Sequence, residues 1–146
     1  MILGIGNDLC DIERIAGVIQ RHGQRFLDRA FTHAEQALAR RRPEPSSFYA
    51  GRFAAKEACL KALGTGVTER VRWTDIEILD SRSGRPVATI SSEALRRFRR
   101  LAGWGRDAAV HVAISHDVRL ATAFVILEAR PRSVLSPIDI QATERR

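Results

Sequence analysis

Apolar residues recur along this chain with two different spacings, which separate strands from helices. Alternating apolar and polar or small residues predict strands over residues 2–9, 71–79, 87–90, 109–115 and 120–127. A spacing of three to four residues predicts helices over residues 12–23, 33–40, 48–63 and 93–102. The resulting order, β-α-α-α-β-β-α-β-β, predicts a single small domain of the α+β class.

Local signals mark where these helices begin and end. Asp11 is placed to cap the first helix and Gly23 to close it, and residues 32–35 form a capping box for the second. Gly64 follows the central helix as a left-handed C-cap. The glycine-flanked loop of residues 64–66 is expected to leave backbone amides free, and such amides can receive a phosphate.

The central helix carries a carboxylate within an apolar stripe. Glu57 lies at helical spacing between Phe53 and Leu60, so it shares their face of the helix. Burial of a charge is unfavourable unless the charge is neutralised, paired or bound to a cation. The sequence offers two partners for Glu57, which are Lys61 one turn further on and a metal ion.

Two other residues are candidates for chemistry because of the strand faces they occupy. Asp8 shares its face with Gly4 and Gly6, whose missing side chains leave room for another group near the backbone. His111 lies on the small-residue face of the fourth strand, where a ligand could lie. A lone strand histidine is, however, more often a hydrogen-bonded structural residue.

Composition adds information mainly through charge. With 146 residues, 45% of them hydrophobic, the chain suits one domain with a core and is not typical of a disordered protein. The formal net charge of +7 predicts an acidic partner: nucleic acid, an anionic membrane surface, a phosphorylated small molecule or an acidic protein. Cys10 and Cys59 lack metal-ligand spacing and are expected to be buried free thiols in a reducing cytoplasm. Neither a signal peptide nor a membrane span is predicted.

The basic side chains are nearly all arginines. Of the 24, only Lys56 and Lys61 are lysines, and both belong to the central helix. A compact ammonium approaches a phosphate or carboxylate as a point charge, which a guanidinium does not reproduce, so the pair is either functional or simply helix-forming. Arg14, Arg21 and Arg25 make the first helix and its following turn basic, and this surface is either solvated or meets an acidic partner.

The arginine-rich helix of residues 93–102 supports a competing interpretation, a small basic nucleic-acid-binding module. That interpretation leaves Asp8, Glu57 and the two lysines unexplained, and the aromatic residues are expected in core positions instead of on an exposed platform. From Pro131 onward the composition predicts a loosely ordered tail over residues 131–146, following a domain of residues 1–130.

Separated blocks of the sequence together resemble one protein family. They include Gly4-Ile-Gly-Asn-Asp8, Gly51-Arg-Phe-Ala-Ala-Lys-Glu-Ala58, Lys61-Ala-Leu-Gly-Thr-Gly66 and Val110-His-Val-Ala-Ile-Ser-His116. In order and spacing they resemble bacterial holo-[acyl-carrier-protein] synthase, of the 4′-phosphopantetheinyl transferase superfamily. The resemblance implies the fold of that superfamily and a Mg²⁺-dependent transfer of 4′-phosphopantetheine from coenzyme A to a serine of acyl carrier protein, releasing adenosine 3′,5′-bisphosphate.

The resemblance also implies roles for single residues. Asp8 and Glu57 would hold the metal, and Lys61 would hold the phosphates or protonate the leaving oxygen. Coenzyme A would meet Arg52, Lys61, His111 and the loop Gly64, Thr65 and Gly66. The acceptor of the serine proton stays open between Glu57, a metal-bound water and His111.

The partners implied by the resemblance are proteins as well as coenzyme A. An acidic acyl carrier protein would dock on Arg14, Arg21 and Arg25, and the family is typically a homotrimer with each site between neighbouring subunits. Such an enzyme would act in fatty acid biosynthesis in the cytoplasm, with no nucleic acid or membrane partner. Transferases for secondary-metabolic carriers share the chemistry but are often about twice as long, so the short chain favours a fatty-acid carrier.

Overall fold

The elements of the chain follow the predicted order, in a computed structural model that describes residues 1–68 and 70–132. The strands are β1 (Ile2–Asp11), β2 (Ile76–Asp80), β3 (Pro86–Ile90), β4 (Arg106–His116) and β5 (Leu120–Pro131). The helices are α1 (Ile12–Ala30), α2 (His33–Ala39), α3 (Pro45–Ala62) and α4 (Ser92–Ala102). The predicted α+β class is confirmed. Beyond Pro131 and Arg132, the predicted tail lies outside the described residues.

The strands form two antiparallel sheets. One has the order β1-β5-β4, and the other is the β2-β3 hairpin. In the larger sheet Asp8 is opposite Ala123, which is opposite Ile114. Side chains of this row point to the side on which α3 packs, since Ala123 is buried and Ile114 contacts the core.

Two glycines allow β1 and α3 to lie in direct backbone contact. A Cβ atom on Gly4 would lie 2.0 Å from the carbonyl oxygen of Ala62, and one on Gly6 would lie 2.0 Å from that of Ala58. No real side chain tolerates such a distance, so glycine is required at both positions. The group expected to approach these glycines is therefore α3, and the contact sets Asp8 of the same face beside this helix.

A buried ion pair ties α2 and α3 to the hairpin. Lys56 Nζ lies 2.7 Å from Glu35 Oε2, and both side chains are fully buried. The ammonium also donates to the carbonyl oxygens of Trp73 and Ile76, at 3.1 and 2.7 Å, while Glu35 Oε1 accepts the amide of Ile78 at 2.9 Å. Burial lowers the pKa of Lys56, and the nearby Glu35 carboxylate opposes that change.

Two predicted boundaries were wrong for reasons that the structure explains. Gly23 does not close α1 but forms a kink inside it, with φ 55° and ψ −138°, after which the helix continues to Ala30. The predicted strand of residues 71–79 begins only at Ile76. Before it, a 3-10 turn at Trp73–Asp75 forms because the Asp75 carboxylate accepts the amide of Arg72 at 3.2 Å.

Candidate active site

The first part of the site is an ion pair where β1 passes the C-terminal end of α3. Lys61 Nζ donates to Asp8 Oδ1 at 2.7 Å and to the carbonyl oxygen of Asn7 at 3.0 Å. The Lys61 side chain is 54% exposed, against 19% for Asp8. This ammonium can therefore exchange its partner for an incoming anion without breaking a buried contact.

Glu57 has a different partner from the lysine that the helix spacing suggested. Its Oε1 accepts a hydrogen bond from the indole Nε1 of Trp73 at 2.5 Å, and the side chain is half-buried. Lys61, one turn away on the same helix, pairs with Asp8 instead. Of the two partners considered for Glu57, a metal ion stays a prediction and the ion pair with Lys61 is absent.

The two carboxylates lie near one another across the β1–α3 contact. Burial raises the pKa of the Cys10 thiol to about 11, and the negative charges of Asp8 and Glu57 both add to this increase. Lys61, the partner of Asp8, is one helical turn after Glu57, so the two carboxylates flank the same ammonium. Within residues 1–68 and 70–132 no cluster of three or more His, Cys, Asp or Glu side chains could hold a metal. A pair of hard oxygen donors fits Mg²⁺, which usually takes one or two carboxylates and fills its other positions with water and phosphate oxygens.

The glycine-flanked loop begins three residues after Lys61, but most of its amides are used by the helix end. Gly64 adopts φ 64° as predicted, and its amide donates to Lys61 O at 3.0 Å. The amide of Thr65 donates to Leu60 O at 3.1 Å, and its hydroxyl to Gly66 O at 3.0 Å. The expectation of a loop with free amides was thus wrong for Gly64 and Thr65, because the helix terminus satisfies its own carbonyls with them.

Arg52, predicted to contact coenzyme A, lines a cavity of about 550 Å³ at the other end of α3. Its guanidinium lies 4.4 Å from the ring centre of Phe48, and Nη2 donates to Asp80 Oδ1 at 2.6 Å. Among the described residues its buried Nε has no hydrogen-bond partner. Arg42 and His116 line the same cavity.

His116 received no role from the sequence, although it ends the block of residues 110–116. The cavity is built from residues distant along the chain, so only the fold assembles it. One feature of the sequence could have indicated a role for His116: it is the second histidine of that block and lies at the end of a strand, where side chains can reach a pocket.

His111 lies on the face of the sheet opposite to Asp8, because it pairs with Ile126, which in turn pairs with Ile5, and Ile5 alternates with Asp8 along β1. Its Nε2 lies 2.8 Å from Glu128 Oε2, and hydrogen bonds from His111 and from Arg130 lower the pKa of Glu128. Within one chain the structure therefore does not bring His111 to the Asp8–Glu57 pair.

The arginines predicted to meet a carrier protein are exposed. Arg14, Arg21 and Arg25 all lie on α1, which continues beyond the kink at Gly23. Near the end of the same helix, the Arg29 guanidinium lies 5.8 Å from the ring centre of Trp73, the donor to Glu57. The basic helix is therefore connected to Glu57 through the indole of Trp73.

In the part of the chain that the structure describes, no helix is both long enough and apolar enough to cross a membrane. Two of the described aromatic residues depart from the expected core positions: Trp104 is fully exposed, and Phe124 is 48% exposed.

Comparison with known proteins gives consistent results at the levels of sequence and fold. Residues 4–122 match the profile of the 4′-phosphopantetheinyl transferase superfamily. The holo-[acyl-carrier-protein] synthase of Brucella ovis is 47% identical over 131 residues, which are 90% of this chain and 98% of that protein.

Solved structures agree with the sequence match. A holo-(acyl-carrier-protein) synthase from Bacillus anthracis, in complex with CoA (3′,5′-ADP), is 35% identical, with a TM-score of 0.71, covering 89% of this chain and 99% of that one. The Helicobacter pylori holo-[acyl-carrier-protein] synthase in complex with coenzyme A is 33% identical, with a TM-score of 0.72, covering 85% and 99%. Because profile, sequence and fold agree over most of its length, this chain belongs to the 4′-phosphopantetheinyl transferase superfamily.

Proposed function

We propose that this chain is a holo-[acyl-carrier-protein] synthase, which transfers 4′-phosphopantetheine from coenzyme A to a serine of apo-acyl carrier protein. The observation that carries the proposal is the group of Asp8, Glu57 and Lys61 at the β1–α3 contact. Relatives that share the fold have been solved with coenzyme A or its 3′,5′-ADP part bound. The group combines two carboxylates with an exposed ammonium, which suits an anionic pyrophosphate substrate.

In the proposed reaction the serine oxygen forms a bond to the β-phosphorus of coenzyme A while the bond from that phosphorus to the bridging oxygen breaks. Adenosine 3′,5′-bisphosphate leaves with the bridging oxygen, and the serine proton must be taken up by a base. Lys61 can turn from Asp8 to the leaving phosphate, where its ammonium balances the developing negative charge.

Asp8 and Glu57 are the residues that would hold Mg²⁺, and the bound ion would supply charge neutralisation at the pyrophosphate. Their half-buried carboxylates fit such an ion because each has an oxygen for which no hydrogen bond is described. Glu57 Oε1 is held by Trp73, which leaves Oε2 for a cation. Asp8 Oδ1 is held by Lys61, which leaves Oδ2.

The cavity at Arg52 is proposed to receive the nucleotide part of the donor. Arg42, Arg52 and His116 offer positively charged or hydrogen-bonding groups for phosphates, and Phe48 offers an aromatic surface. The buried, unpartnered Nε of Arg52 is a donor that an anion would satisfy.

We further propose a homotrimer with sites shared between neighbours. The face of the large sheet opposite α3 exposes Ile5, Leu9 and Phe124 at 56%, 62% and 48%. An apolar surface of this kind is typical of an interface between subunits. His111 lies on this face and can reach a site only on a neighbouring copy, which would explain why it is remote from Asp8 in its own chain.

The acidic carrier protein is proposed to dock on α1 through Arg14, Arg21 and Arg25. The helix leads to Trp73 and hence to Glu57, so a carrier bound there would bring its serine toward the carboxylate pair. Opposite charges would also accelerate the encounter and make it sensitive to salt. Fatty acid biosynthesis in the cytoplasm is the proposed setting, in keeping with the two buried free thiols.

The proposal is tested by intact mass spectrometry of apo-acyl carrier protein incubated with the enzyme, coenzyme A and Mg²⁺. We expect the carrier to gain the mass of one phosphopantetheine, and to gain nothing with EDTA or with the Glu57→Gln variant. A folded wild-type protein that modifies no acyl carrier protein would refute the proposed activity. Transfer by Glu57→Gln at the wild-type rate would refute the role of this carboxylate alone.

A further inference from the structure

We propose that Trp73 is a positioning residue for Glu57, and that the buried Lys56–Glu35 pair holds Trp73 in place for this task. This inference rests on the proposed role of Glu57 as a ligand of Mg²⁺. It assigns a function to a tryptophan that no motif singled out and to the lysine that does not reach the site.

The contact itself is short and specific. The indole Nε1–H has one proton to donate and cannot accept, and it points at Glu57 Oε1 from 2.5 Å. A carboxylate held in this way cannot rotate both oxygens freely, so Oε2 is presented in one direction. Removal of a group that hydrogen-bonds a metal ligand in this way typically lowers metal affinity or activity about 10–100-fold.

The indole also contacts one residue of α3 and one of α1. Its ring centre lies 5.4 Å from that of Phe53, and the Arg29 guanidinium lies 5.8 Å from the ring centre. These contacts connect the ring to α3 through Phe53 and to α1 through Arg29. The donor therefore has little freedom to leave Glu57.

The backbone of Trp73 is fixed by the buried ammonium of Lys56. The three protons of this ammonium match three acceptors: Glu35 Oε2 and the carbonyl oxygens of Trp73 and Ile76. A guanidinium is too large and too planar to make these three contacts from one buried nitrogen, which explains a lysine here in an arginine-rich chain. Lys56 therefore supports Glu57, the next residue along the chain, indirectly: it holds the backbone of Trp73, whose indole holds the Glu57 carboxylate.

The inference is tested with tryptophan fluorescence, because the described residues include Trp73 and Trp104 as the two tryptophans of the chain. In Trp104→Phe, which removes the fully exposed one, the emission reports Trp73 alone. We expect Mg²⁺, added with saturating coenzyme A, to change this emission, and we expect no change in Trp104→Phe/Glu57→Gln. If Mg²⁺ changes the emission of neither Trp104→Phe nor Trp104→Phe/Glu57→Gln, the inference is overturned.

The second variant is Trp73→Phe, which keeps an aromatic ring and removes the donor. We expect the Mg²⁺ concentration for half-maximal transfer to rise about tenfold, while Trp104→Phe keeps the wild-type value. A wild-type Mg²⁺ dependence in a folded Trp73→Phe protein would refute the positioning role and leave the transferase assignment intact. Absence of transfer by the wild type would refute the assignment instead, and the fluorescence response would still decide whether Trp73 senses the ion. The fluorescence also decides the matter if Trp73→Phe fails to fold.

Discussion

The two lysines of α3 should differ in what is lost when each is replaced by methionine, stability for Lys56 and transfer for Lys61. Lys56→Met removes a fully buried ammonium and leaves the Glu35 carboxylate buried without its cation. Breaking a buried pair in this way typically costs about 3–5 kcal/mol. Loss of the donors to Trp73 O and Ile76 O places the expected value in the upper half of that range.

A loss of this size is a large part of the stability of a domain, which is commonly about 5–15 kcal/mol. For a chain of this length we expect the melting temperature to fall by about 10 °C or more. Lys61→Met is the matched control, since it removes the same group from the same helix but from a 54% exposed side chain. Exposed pairs contribute about 0–1 kcal/mol, so its stability should stay near that of the wild type while transfer is lost.

The assay is urea unfolding followed by far-ultraviolet circular dichroism, with transfer measured on the same preparations. The double variant Lys56→Met/Glu35→Leu should be less destabilised than the sum of its single changes, because the unpaired buried charge is removed. A change below about 1 kcal/mol for Lys56→Met, or an equal loss of stability in Lys61→Met, would refute the reasoning.

Three further predictions follow from the packing and the proposed interfaces. Gly6→Ala should destabilise the fold by about 3 kcal/mol or more, because the added Cβ would collide with the backbone of α3. Gly17→Ala is the control: its added Cβ has no atom within 4 Å, so thermal melts should show α1 stabilised by about 0.5–1 kcal/mol. Arg14→Glu should raise the KM for the carrier protein about tenfold and leave the KM for coenzyme A unchanged. Arg99→Glu on α4 is the control and should change neither KM. A changed turnover with an unchanged KM for the carrier would contradict docking on α1. Phe124→Asp should convert the oligomer to monomers in sedimentation velocity, and a monomeric wild type would contradict the proposed trimer.

Much of the architecture was predictable because the relevant signals are local. Strand alternation and helical spacing gave the correct order of elements, and the capping box at Thr32 and Glu35 is present. The left-handed glycine after α3 is also present, at Gly64. These features depend on residues within one turn of each other, which is the range over which a sequence pattern carries information.

Partners that are distant along the chain were harder to predict. Helix spacing suggested Lys61 for Glu57, but Trp73 holds this carboxylate from 16 positions away and Lys61 pairs with Asp8 from 53 positions away. Spacing on one helix indicates only which residues of that helix are neighbours. Contacts with β1 and with the 3-10 turn depend on how these elements pack against α3. The same limit applies to the cavity that joins Arg52 and His116.

Fold class, family and the unusual carboxylates Asp8 and Glu57 could all be identified before any packing was known. These follow from periodicity, from charge placed in apolar surroundings and from the resemblance of separated blocks. Packing of the fold was needed to show that Lys56 is buried against Glu35 and that Lys61 is exposed beside Asp8, although both are lysines five positions apart on one helix. Five positions on a helix are about 140° of rotation, so each lysine meets a different environment, and that environment exists only once the other elements have packed.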